Sequence, residues 1–264
     1  MNIFLRELKA NFKSLLIWSG IVIFFAVIGF AKFSAYYGNP ELVAILDSMP
    51  AALVEAMNMN AFNLTTLTGF YGVMFTYFAL IVSIAAAMWG SDVISKEERD
   101  KTVEFALTLP VTRSRVVTSK SLAALVNSIA LLLVSWGSIL FGASKYPAET
   151  GFYSFVAISM LALFIMELIF LALGIFLGCA MKQYKRVGSV AVSLLLGTYI
   201  ISVISSLDSK LEFLHYFSPF SYFDPGAILR SSHLDLTYVS ISLAIIAAAL
   251  IGAYLTYSRR DLYI

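Results

Sequence analysis

Glu167 stands where a charge is expensive. It is the only acid inside the otherwise charge-free stretch from Thr150 to Met181, and a charged side chain at the centre of a membrane-spanning helix costs about 2.5–3.5 kcal/mol on insertion scales. Hydrogen-bonding groups such as Asn127, a water-filled cavity, protonation or a cationic cargo are the ways to compensate it. A titrating Glu167 would suit an ion- or proton-coupled secondary transporter, whereas a packed, protonated one would serve only the fold. Other chemistry is sparse. His215 and His233 lack ligand-like spacing to each other or to Cys179, the 1 cysteine, so neither a metal site nor a redox pair is expected. No serine is set beside a base in a recognisable nucleophilic arrangement. No Gly-x-x-x-x-Gly-Lys-Ser/Thr phosphate loop occurs, so ATP-driven work would need hydrolysis by another chain.

The richest polar segment runs from Gly90 to Lys120. Its acids Asp92, Glu97, Glu98, Asp100 and Glu104 nearly balance the bases Lys96, Arg99, Lys101, Arg113, Arg115 and Lys120. A membrane-surface anchor would be purely basic, so the mixture points to a protein partner. Ser95 with Glu98 has capping-box spacing. Asp100 or Thr102 can cap a short helix carrying Val103, Ala106 and Leu107 on one side, stopped by Pro110. Such a helix suits insertion into a partner's groove; the plainer alternative is a solvated connection between two spans.

The elements that hold these residues follow from composition. Of the 264 residues 60% are hydrophobic and 13% charged, with a mean hydropathy of +0.86, so the solvated surface of a globular protein cannot be assembled. A net charge of +2 gives no basic face for nucleic acid. Charge-free stretches at Leu15–Ala31, Ala56–Ser91, Ser121–Ser144, Thr150–Met181, Val187–Leu207 and Leu236–Ser258 predict six transmembrane helices, the second near Thr68–Asp92 and the fourth near Phe152–Met181. Of the 18 Lys and Arg residues, 14 fall on one side of these spans, which predicts both termini in the cytoplasm and a multi-pass protein of the cell membrane. No small-x-small cleavage site follows the first apolar stretch, so the chain is expected to be mature from Met1. Phe4, Leu5, Leu8 and Phe12 at helical spacing predict an interfacial amino-terminal helix over 1–14. The loop from Ser34 to Leu67, acidic and punctuated by Pro40 and Pro50, predicts two short amphipathic helices. The segment 208–235 holds Phe213, Tyr216, Phe217, Phe220, Tyr222 and Phe223 around Pro219 and Pro225; it predicts short re-entrant or interfacial helices, with an aromatic belt as the alternative. The expected fold class is therefore an all-α membrane protein, one transmembrane domain over 1–264, with a cytoplasmic segment at 93–117.

The pattern Gly-Ser-Asp-x-Ile-Ser-x-Glu-Glu-x-x-x-Thr-x-Glu-x-x-Leu-x-x-Pro-Val-x-Arg, from Gly90 to Arg113, resembles the segment after the second span in ABC-2 type permeases, the membrane subunits of bacterial and archaeal ABC exporters. The stretch Ser218-Pro-Phe-Ser-Tyr-Phe-Asp-Pro225 and the terminal Tyr257-Ser-Arg-Arg-Asp-Leu262 agree with it. The resemblance covers essentially the whole chain. It implies that a coupling helix between spans two and three docks on a separate ATPase subunit, with Glu97, Glu98, Thr102, Glu104, Pro110 and Arg113 in that role by position. It also implies a second cytoplasmic contact at Lys182, Tyr184, Lys185 and Arg186, for which simple topology-setting charge is the alternative. Partners implied are ABC ATPase subunits, a second permease copy or a related permease, and the lipid bilayer. No cofactor is implied on this chain, ATP and magnesium belonging to the ATPase. Glu167 and Asn127 are the candidates for a transport pathway. Gly174-x-x-x-Gly178 permits close helix contact.

Overall fold

The helices begin where short polar side chains can take up free backbone amides. The computed structural model describes residues 2–39, 41, 48, 50, 62–99, 111–207 and 209–259. Asn2 Oδ1 accepts from the Phe4 amide at 3.1 Å and starts α1 (Ile3–Tyr36). After α2 (Leu67–Arg99), Thr112 Oγ1 accepts from the Arg115 amide at 3.3 Å and starts α3 (Arg113–Ala143). Then come α4 (Phe152–Ala180), a 3-10 turn (Tyr184–Arg186) running into α5 (Val187–Leu207), a 3-10 helix (Ser209–Phe217), α6 (Pro219–Tyr222), α7 (Pro225–Ser231) and α8 (Leu236–Arg259). Among the described residues six helices are long and apolar enough to cross a membrane: α1, α2, α3, α4, the unit Tyr184–Leu207 and α8. They coincide with the six charge-free stretches.

The amino terminus corrects one expectation. Residues 1–14 do not form a separate interfacial helix, because α1 runs unbroken from Ile3 into the apolar stretch. No Gly or Pro lies between Asn2 and Ser19 to allow a bend. Buried Glu7 and Asn11 instead hold the first turns against other helices. The two short helices expected before Leu67, the second half of the coupling segment from Asp100 to Pro110, and the terminal Arg260–Leu262 fall outside the described residues.

At the centre α2 and α4 make the most extensive contact, and they run in the same direction. Small residues let their backbones approach. A Cβ placed on Gly174 would sit 2.6 Å from the Ala87 carbonyl oxygen, and one on Gly178 would sit 2.8 Å from that of Ser91; a Cβ on Gly90 would strike the Leu171 carbonyl. Association of helices in lipid relies on this close packing, since lipid tails are as apolar as leucine. Around the pair, α1 lies on α3, α8 lies on α4, and α5 lies on α2. The α2–α4 pair is the most enclosed, while α1, α5 and α8 are the most exposed.

The first turn of α2 is capped from a distant loop. Glu149 Oε1 accepts from the Leu67 amide and Oε2 from the Thr68 amide, both at 2.9 Å, and the Thr68 hydroxyl donates to the same carboxylate. An anion against free amides at a positive helix end is favourable on both counts. Glu149→Ala is expected to cost about 1–2 kcal/mol, read as a lowered apparent melting temperature in detergent, while Glu149→Gln, which keeps an acceptor, loses less.

The aromatic segment before α8 divides its rings. Phe220 packs against Phe170 at 5.6 Å and Tyr199 at 5.4 Å, and Tyr222 stacks on Tyr238 at 5.1 Å. Phe213, Tyr216 and Phe217 face outward. Pro219 and Pro225 occupy first helical turns, where a missing amide costs nothing. Asp224 Oδ1 accepts from the Ala227 amide at 2.7 Å to start α7.

Candidate functional site

Where α2 ends, the polar faces of three helices converge. Glu97 is only 8% exposed; its Oε1 lies 3.0 Å from Lys120 Nζ of α3 and 3.2 Å from Arg6 Nη2 of α1. Lys120 is 1% exposed, donates to the Val93 carbonyl at 2.8 Å and lies 3.7 Å from Glu7 Oε2. Lys96 Nζ donates to Asn11 Oδ1 at 3.1 Å and stands 3.5 Å from the other Glu7 oxygen. Nearby, Trp89 Nε1 donates to Ser14 Oγ at 2.9 Å. Buried charges persist only when paired and hydrogen-bonded, and here one carboxylate bridges α1 to α3 while another bridges α1 to α2 and α3. The result is an ionic knot that ties α1, α2 and α3 together at the end of α2.

Other residues to which the resemblance assigns a coupling role lie near this knot or outside the described residues. Glu98 is buried beside Glu97. Arg113, at the first turn of α3, donates through Nη1 to the Tyr257 carbonyl at 3.2 Å and lies 5.9 Å from the centre of the Tyr257 ring, so α8 is drawn in as well. Thr102, Glu104 and Pro110 lie outside the described residues. Lys182, Lys185 and Arg186 are exposed around the 3-10 turn, with Lys185 Nζ 5.9 Å from the Tyr184 ring centre. That turn packs against α2, so the exposed bases share the end of the molecule that carries the knot.

Glu167 and Asn127 lie midway along α4 and α3 and are 0% and 2% exposed. Among the described residues neither oxygen of Glu167 accepts a hydrogen bond, and Asn127 Nδ2 donates none. A bond to Asn127, one of the ways of compensating Glu167, is therefore not made between them. Ser83, midway along α2, and Ser128 are buried with unbonded hydroxyls in the same central layer. A cavity of about 510 Å³ opens between α2, α4, α5 and the aromatic segment, with Tyr199, Ser202, Ser221, Glu212 and His215 in its wall. Met166 lines it, but Glu167 does not.

Sequence reasoning passed over Glu7, Asn11 and Lys120. The available signal was small: Glu7 is the single acid among the bases of the first three turns, and Asn11 follows it at the four-residue spacing that puts two polar groups on one helix face.

The described residues thus place a paired, buried charge cluster at the end of α2 on a bundle of six long apolar helices. The family model described as ABC-2 family transporter protein matches residues 1–262. The chain belongs to the ABC-2 transporter family. It is a multi-pass permease, non-catalytic itself, in a family whose ATPase is a separate subunit. A search of curated proteins finds no match for the permease.

Proposed function

We propose that this permease is the membrane half of an ATP-driven exporter, with both termini in the cytoplasm and the end of α2 receiving the stroke of an ABC ATPase. The observation that supports this reading is the knot at Glu97. A side chain bonded at once to Arg6 and Lys120 passes any displacement of the α2 terminus to α1 and α3, and Arg113 extends the linkage to α8. In this reading Glu98, Thr102, Glu104 and Pro110 shape the docking element that follows the knot. Lys182, Tyr184, Lys185 and Arg186 offer the second contact, and a second permease copy or a related permease completes the pathway.

Purification of the full chain from detergent is expected to bring down an ATP-hydrolysing partner chain. Reversing the exposed bases with Lys185→Glu and Arg186→Glu weakens that association without touching a buried group, and Glu97→Ala with Glu98→Ala reduces transport-coupled hydrolysis toward the uncoupled level. Transport by the purified chain alone in vesicles without nucleotide, abolished by Glu167→Gln, overturns the proposal in favour of an ion- or proton-coupled carrier. The central unbonded Glu167 is what such a carrier would use.

A further inference from the structure

A second cavity, of about 640 Å³, lies between α1 and α3 at the end away from the ionic knot. Its lining runs from Ile23 to Ser34 on α1 and from Val134 to Gly142 on α3, continued by Lys145 and Tyr146 in the turn that follows, with members three and four residues apart, so each helix contributes one continuous stripe. At 1.5 Å per residue the α1 stripe is about 16 Å long. That is about half of a ~30 Å hydrocarbon core, so the groove has the length of one leaflet.

The floor and mouth differ in chemistry. Ala26, Phe30 and Gly142 form a buried floor, in which the Phe30 ring occupies the space a Cβ on Gly142 would need. A Cβ on Gly137 meets nothing within 4 Å, so this glycine leaves open space that no part of the described protein fills. The only charged lining residue is Lys145, at the mouth, exposed and without a hydrogen bond or ion pair among the described residues. Tyr146 closes the same end by donating to the Phe30 carbonyl at 3.4 Å. Lys32 falls in the same turn of α1 as Ala31 and Ser34.

We propose that this groove is a binding site for an anionic glycerophospholipid, one acyl chain lying along the α1–α3 groove over Gly137 and the phosphate paired with Lys145. A cation at headgroup depth above an apolar slot one leaflet long complements the charge and the length of that lipid at once. The site is independent of the transport reading, because it needs neither an ATPase nor a cargo.

The test uses the full chain, delipidated in detergent and exposed to phosphatidylglycerol or phosphatidylcholine, with bound lipid counted by native mass spectrometry. Phosphatidylglycerol is expected to be retained in preference. Lys145→Gln lowers the preference about fivefold, the value of one lysine near a charged surface. Gly137→Leu fills the chain's path and weakens retention of both lipids while leaving the melting temperature unchanged. Equal retention of the two lipids by the native chain, or an unaltered preference in Lys145→Gln, overturns the proposal. So does efficient disulfide linkage between two copies carrying Val27→Cys or Phe141→Cys in membranes, because the groove would then be covered by protein.

Discussion

Lys120→Met is expected to be the most damaging single change at the polar end of the bundle. The native ammonium is enclosed, with the Val93 carbonyl and the carboxylates of Glu97 and Glu7 around it. Methionine fills similar volume but takes away the one cation that faces both buried acids, leaving Arg6 beside Glu97 and Lys96 beside Glu7. Removing one partner from a buried ion pair costs about 3–5 kcal/mol, whereas replacing the pair by apolar groups is often close to neutral. The single variant should therefore lose most of its folded yield in detergent, and Lys120→Met with Glu97→Gln should regain a large part of it. A double variant no better than the sum of the single ones would show that the two side chains do not interact energetically. Lys120→Arg is not a conservative rescue, because a planar guanidinium cannot reach the Val93 carbonyl and both acids from the same enclosed position.

Gly174→Leu carries the second large effect. Its first side-chain carbon already falls 2.6 Å from the Ala87 carbonyl and 2.9 Å from the Ser91 amide nitrogen, and those atoms are backbone, unable to swing aside. The helices α2 and α4 must then part, losing contact along the most extensive interface in the bundle. Overpacking of this kind costs typically about 1–3 kcal/mol, occasionally more, and here the backbone obstacle places it at the upper end. A drop in apparent melting temperature with loss of transport in proteoliposomes is the expected outcome. Gly197→Ala, whose Cβ meets nothing within 4 Å, is the matched control and should be tolerated. Equal behaviour of the two variants would refute the close-packed seam.

The spans were legible because apolar runs of membrane length are a direct consequence of the missing water. Leu236–Arg259 and Val187–Leu207 end within a residue of the charge-free stretches. For direction the sequence offers only a bias of bases. The amino-terminal segment misled because Phe4, Leu5, Leu8 and Phe12 do make an amphipathic face, yet nothing in that pattern says whether the helix lies flat or stands. Glu7 ties those turns to the bundle by pairing with Lys96, 89 residues away, and a bond across that separation leaves no local trace. Glu97 stood out in the sequence as a candidate, but its surroundings did not. A run of mixed charges reads as solvent-facing, while the fold turns Glu97 inward and leaves the bases after α4 outside. The role of Gly174 and Gly178 was visible only as a permissive spacing until the Ala87 and Ser91 carbonyls were found against them.

Two of the central rods are also fastened at their other end, where Glu149, three residues before α4, grips the opening turn of α2. With a seam along the shafts and a clasp at the far tip, they cannot slip past one another lengthwise. A displacement of one is expected to carry the other with it, so the knotted end and the aromatic end, beside the cavity that Tyr199 and Ser202 line, belong to one beam.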